Sequence, residues 1–161
     1  MVHLILIILS VLLPINAAYA SDPRSQYGRQ QIEKYAGTYF TNELLSEPLI
    51  EAETKRLLGG EYGHLKKNIS ARAPIGLVGD ALSISGNAPH MGGKEMAIVC
   101  IQTYKLKVHA AIYSMGKITI FTDAQQYGHL PLCIQDWITV VNSGLVDRFK
   151  APKNVQITSP K

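Results

Sequence analysis

Histidines and cysteines are the residues of this chain best suited to chemistry, and their spacing decides which chemistry is open to them. His64, His90, His109 and His129 stand singly. None has the close helical or hairpin spacing by which side chains converge on a metal ion, so neither a zinc centre nor any other cofactor is expected. Asp80 and Asp123 fall near strand ends and Asp136 on a late helix, and nothing in their spacing pairs two carboxylates for glycoside hydrolysis. There is no Gly-x-Ser-x-Gly elbow and no phosphate-cradling glycine motif. These residue types point away from an enzyme. Cys100 and Cys133 sit in apolar settings, Ile98-Val99-Cys100-Ile101 and Leu132-Cys133-Ile134, without the electropositive exposure that a catalytic thiolate needs. In an oxidising compartment they form either one disulfide, from a strand to the last helix, or two separately buried thiols.

One imidazole has an unusual setting. Gly86-Asn87-Ala88-Pro89-His90-Met91-Gly92-Gly93 lies between two strand-like runs, and eight residues exceed the two to five that a plain hairpin link uses. Pro89 restricts the backbone just before His90, and the glycines permit turns on either side. The ring is therefore expected to point outward from the sheet edge, where an imidazole donates and accepts hydrogen bonds and suits a negatively charged cleft. The competing reading is an ordinary turn bearing a solvated histidine.

The elements that must position this loop follow from the apolar period. Residues from about Gln30 to Leu45 carry Ile32, Tyr35 and Leu44 at near-helical spacing until Pro48 forces a break. A second helix then starts at Pro48, carries Leu49, Ala52 and Leu57, and stops at Gly59-Gly60. Tyr62 and His64 follow in what reads as a loop. The period changes to that of strands at Leu77 to Ser85, Met96 to Tyr104, Val108 to Ser114 and Lys117 to Thr122. Met115-Gly116 is a two-residue hairpin link. Within its strand His109 shares a face with Ala111 and Tyr113, which makes it a packed or edge histidine. From Leu130 or Pro131 to Asn142 an amphipathic helix places Trp137 on its apolar face as a core anchor. A basic tail from Lys150 to Lys161 is expected to fray. The sum is an α+β fold: an antiparallel sheet of about five strands, flanked by N-terminal helices and a C-terminal helix.

At 17% charged and 47% hydrophobic over 161 residues, the chain can bury a core. Its net charge of +4 is spread along the sequence, without the compact basic footprint of a nucleic-acid binder. Val2 to Ala17 is almost wholly apolar and runs into Ala18-Tyr19-Ala20 before the polar Ser21-Asp22-Pro23-Arg24. That order is an export signal with a small-x-small cleavage site. Residues 1–20 are thus expected to be removed, leaving 21–161 as a single domain that meets the membrane only during export and works in the periplasm or beyond.

From Leu82 to Tyr113 the strand, loop and strand resemble the core of the periplasmic inhibitors of vertebrate lysozyme. Those proteins carry a protruding loop of pattern Cys-Lys-Pro-His-Asp-Cys-Gly between adjacent antiparallel strands. Here Asn87-Ala88-Pro89-His90-Met91-Gly92-Gly93 fills that place. Pro89, His90 and Gly93 fall on the pattern, and Asn87 and Gly92 stand where the family has its loop cysteines. The order of elements agrees from about Ser70 to Asn142. The resemblance implies a non-enzymatic inhibitor whose partner is a lysozyme or a related peptidoglycan-cleaving enzyme, and whose contact residues are 87–93. A binding or immunity protein that neutralises another exported cell-wall hydrolase is the alternative.

Overall fold

The computed structural model describes residues 29–144, 146–147 and 149–160; the expected export signal lies outside them. A helical turn at residues 29–33 is the first part of the helix read from Gln30 to Leu45. That helix is interrupted because Gly37 adopts φ +77 and donates its N–H to Ile75 O at 2.8 Å. Helix resumes as α1, Thr41–Leu45, and after the break at Pro48 as α2, Pro48–Leu58. Proline stands at the first helical position, where its missing N–H costs nothing. Gly59, at φ +52, closes α2, as its sequence position suggests. A 3-10 turn, Gly59–Glu61, then leads into α3, Tyr62–Asn68. The sequence pattern predicts a loop over that segment. Only Leu65 and Asn68 of its seven residues are buried, so α3 carries no apolar stripe by which periodicity would reveal it.

The strands are β1, Ala71–Arg72; β2, Gly76–Val78; β3, Ala81–Asn87; β4, Glu95–Gln102; β5, Lys107–Ser114; and β6, Lys117–Phe121. A 3-10 turn at Tyr127–His129 precedes α4, Leu132–Val141, and β7 is Val155–Thr158. Among the described residues they form one sheet of seven strands in the order β1-β3-β4-β5-β6-β7, with β2 also on β3. The fold is α+β as expected, but the strand count exceeds about five for three reasons, the first being the short β1, Ala71–Arg72, which pairs with Asn87 and Gly86 at the end of β3. The run from Leu77 to Ser85 is two strands, split by Gly79 at φ +62. The basic tail is also not frayed throughout: Val155–Thr158 pairs with Ile118–Phe121. That last pairing is parallel while all others are antiparallel. A parallel neighbour needs a long crossover, and α4 lies within it.

Alternation along the strands sorts the core into two halves. Leu82, Ile84, Ala97, Val99, Ile101, Val108, Ala110 and Ile112 face α1, α2 and α3 through Leu44, Ile50, Leu57 and Leu65. Ile98, Cys100, Ala111, Ile118 and Ile120 face α4 through Cys133, Ile134 and Ile138, with Trp137 packed alongside. Met115 and Gly116 both have positive φ, +46 and +91, the conformation of a type I′ hairpin turn.

Cys100 of β4 and Cys133 of α4 are joined as a disulfide, their Cα atoms 6.3 Å apart and 33 residues distant in sequence. Closing a loop of that length restricts the unfolded chain by about 3 to 4 kcal/mol. The paired substitution Cys100→Ala/Cys133→Ala is predicted to lower unfolding free energy by about that amount in urea denaturation. An unaltered midpoint would mean that the packing of α4 holds this face without the bond.

Candidate functional site

Between β3 and β4 the chain makes two successive tight turns. Ala88 is fully buried and roots the loop: its N–H donates to Glu95 O at 3.0 Å, and its carbonyl accepts the Met91 N–H at 3.0 Å. The Asn87 side-chain amide also donates to that carbonyl, at 3.2 Å. Pro89 and His90 are the central residues of the first turn, and His90 has φ +60. Proline followed by a left-handed residue is the pattern of a type II turn, which ordinarily places glycine where His90 stands. A histidine there costs on the order of 1 kcal/mol in backbone strain. In the second turn the Met91 carbonyl accepts N–H groups from Lys94 and Glu95, both at 3.0 Å, around Gly93 at φ +78. Pro89, His90, Met91, Gly92 and Gly93 are all exposed. The His90 ring stands outside the domain, and the loop is shorter than the sequence reading had it, because β3 continues through Asn87. Of the seven residues expected to form the contact, Asn87 and Ala88 lie at the base and the other five at the tip.

A group that the sequence reading did not assemble sits where the loop returns to the sheet. Glu95 Oε1 accepts from Ser114 Oγ at 2.6 Å. Its Oε2 accepts from Asn68 Nδ2 at 3.0 Å and lies 2.9 Å from His64 Nε2. The other ring nitrogen of His64 lies 3.1 Å from Glu61 Oε2. With a carboxylate at each nitrogen, the imidazole satisfies both only when doubly protonated. Hydrogen bonding from Ser114 first, then from His64 and Asn68, pulls the Glu95 carboxyl down to about 2 against the cost of its burial. Glu95 first, then Glu61, raises His64 above its ordinary value. Beside this group Glu61, His64, Ile112, Ser114, Lys117, Thr119 and Phe121 line a shallow groove of about 470 Å³. Residues 64, 68, 95 and 114 are spread over fifty positions; His64 stands in the sequence as a lone histidine, and nothing in the spacing ties it to the other three.

The remaining candidates are kept apart. His109 is buried in β5, where Thr122 Oγ1 lies 2.7 Å from Nδ1 and Gln102 Oε1 lies 3.3 Å from Nε2. Gln102 can only accept there, so Nε2 carries the proton and Nδ1 accepts from Thr122. Burial lowers the affinity of this ring for a second proton, and His109 is a neutral packed residue. His129 is exposed, as is Asp136. Asp123 pairs with Arg56 of α2 at 2.6 Å, and the carbonyl of Asp80 accepts from Thr103 N at 2.8 Å. Among the described residues no group of three His, Cys, Asp or Glu side chains could hold a metal ion, and no helix is long and apolar enough to cross a membrane.

An α+β sheet covered by helices on both faces, with a short backbone-locked turn standing clear of it, defines a scaffold that presents a loop. Residues 50–142, more than half of the chain, match the family described as inhibitor of vertebrate lysozyme, and the chain belongs to that family. No curated protein and no solved structure matches it. Membership supports a lysozyme-inhibitor role, a lysozyme-type enzyme as partner, and a protein that is not itself an enzyme.

The two shifted groups fix a pH dependence. The raised His64 contributes stability in full below its unfolded value of 6.5, and this is lost as pH rises through the higher folded value. The depressed Glu95 contributes in full above 4.5, and this is lost as pH falls towards about 2. Stability measured in urea at stepped pH is therefore predicted to be greatest between 4.5 and 6.5 as far as this pair is concerned. In Glu95→Gln the His64 resonance, followed by NMR, should titrate at lower pH than in the parent. A titration that does not move would contradict the contact.

Proposed function

We propose that the protein is exported and inhibits a lysozyme-type glycosidase by inserting the Pro89-His90-Met91 turn into its active-site cleft. A glycosidase of this type flanks the scissile bond with two carboxyl groups. An imidazole delivered between them donates to carboxylate oxygens, and hydrogen bonds that involve an ionised partner are the strong ones. The inhibitor performs no chemistry, so it needs no nucleophile, base or metal. It needs a tip that is narrow and already in shape, because ordering a loose loop on contact subtracts from affinity.

The observation that carries the reading is the conformation at position 90. A histidine is held in a left-handed turn, exposed, directly after a proline and above a fully buried alanine root. Met115, Leu106 and Ser143 also have positive φ, but His90 alone of the four is an imidazole, and strain kept at an exposed residue where glycine would relieve it favours a role for its side chain. The neighbouring Lys94 is exposed and belongs to the same loop, and its charge suits an acidic cleft.

The test is inhibition of a vertebrate lysozyme in a cell-wall turbidity assay. Two variants remove the ring in different ways: His90→Ala leaves a side chain in the strained backbone, and His90→Gly relieves it. Both are expected to weaken inhibition by about 2 kcal/mol or more, the size of a buried hot-spot contact, or about thirtyfold in the inhibition constant. Undiminished inhibition by both variants would overturn the proposal, and capture of a different cell-wall hydrolase in a pull-down would redirect it.

A further inference from the structure

We infer that Glu95 is a positioning residue for the inhibitory loop, a non-covalent clasp that holds the Pro89-His90 turn in its projecting shape. The inference rests on the loop being the inhibitory element and concerns how it is kept rigid. Glu95 closes the loop with its own backbone at two points. Its carbonyl accepts from Ala88 N, at the start of the first turn, and its N–H donates to Met91 O, at the start of the second, each at 3.0 Å. Wherever Glu95 goes, both turns go with it.

Its side chain is fixed from two further elements. Ser114, the last residue of β5, donates at 2.6 Å to one oxygen, while Asn68 and His64 of α3 hold the other at 3.0 and 2.9 Å. Asn68 is fully buried, and the Glu95 side chain is only 15% exposed. The adjacent Lys94 carbonyl accepts from Met115 N at 3.0 Å, which ties the same point to the β5–β6 turn. Strand pairing alone would not require a charge here, since the backbone supplies the ladder between Glu95 and Ser114. A largely buried carboxylate is costly unless donors surround it, and the donors around this one come from a helix and a neighbouring strand. Three points of attachment define a position in space, and the object positioned is the residue whose backbone carries the loop.

Across the loop there is room for a covalent equivalent. A Cβ built on Gly92 would lie 3.8 Å from the side-chain nitrogen of Asn87, and Gly92 is not in a left-handed conformation. Residues 87 and 92 therefore face each other without a bond, and the clasp acts in its place.

The experiment compares the parent, Glu95→Gln, and Glu95→Gln carrying Asn87→Cys/Gly92→Cys oxidised to a disulfide. Amide hydrogen exchange is followed alongside inhibition of a vertebrate lysozyme, with His90→Gly as a separate control. Glu95→Gln should speed exchange at the Ala88, Met91 and Glu95 amides at least tenfold, with Val99, Ile101 and Ala110 within about twofold of the parent. It should also raise the inhibition constant about tenfold through the added cost of ordering the loop. The disulfide should restore both. A purely structural role would speed exchange throughout β4 and β5, and the disulfide would not rescue inhibition; that pattern overturns the inference. Unchanged loop exchange in Glu95→Gln, with inhibition still lost in His90→Gly, overturns the clasp alone. Faster loop exchange with inhibition unmoved in every variant overturns the inhibitory role of the loop, and the clasp's purpose with it.

Discussion

Strands β4 and β5 carry apolar side chains on both of their faces, and most of the molecule is arranged to keep water from them. Val99, Ile101 and Ala110 point to one side, Ile98, Cys100 and Ala111 to the other, and all six are buried. A sheet of this kind needs a layer on each face. The N-terminal helices supply one, and α4, carried across by the connection to β7, supplies the other. Because the core is closed on two sides, the β3–β4 connection has no packing to perform beyond seating one alanine methyl. It is free to stand out from the domain.

That freedom brings a difficulty of its own. A projecting turn loses the contacts that usually keep a loop in one shape, and each residue left to move must be ordered again when a partner arrives. The chain answers with backbone rather than bulk. Two consecutive turns share Met91, the first carries a proline at its leading corner, and the return point is pinned at Glu95 by groups from α3 and β5. The charge there is supported by the same network that lowers its affinity for a proton. Fold and loop are thus linked through a polar contact at the sheet's rim, not through the apolar centre.

Much of the scaffold could be read from residue types. Met115-Gly116 announced its hairpin because two consecutive left-handed residues have few solutions, and Pro48 and Gly59 marked the ends of α2 for equally local reasons. The segments that were missed depend on distant partners. Val155–Thr158 becomes a strand only because β6 offers an unpaired edge, and Tyr62–Asn68 becomes a helix with almost no apolar face of its own. The site divides in the same way. The Pro89-His90 turn is a local feature and was visible, whereas the Glu95 cluster joins residues 64, 68, 95 and 114 through tertiary contact, which no spacing rule encodes. Ala88 lay between, legible as part of the loop but not as its buried root.

The left-handed backbone at position 90 also limits how this surface can drift over generations. β-Branched and bulky side chains fit that conformation badly; besides glycine, it is Asn, Asp and His that tolerate it best. Glycine would discard the ring, aspartate would put a negative group where a ring able to carry a positive charge stands, and asparagine would keep a polar tip without the aromatic plane. The geometry of the main chain therefore narrows the set of neighbouring sequences before any partner has exerted selection, and an imidazole once fixed there has few viable successors.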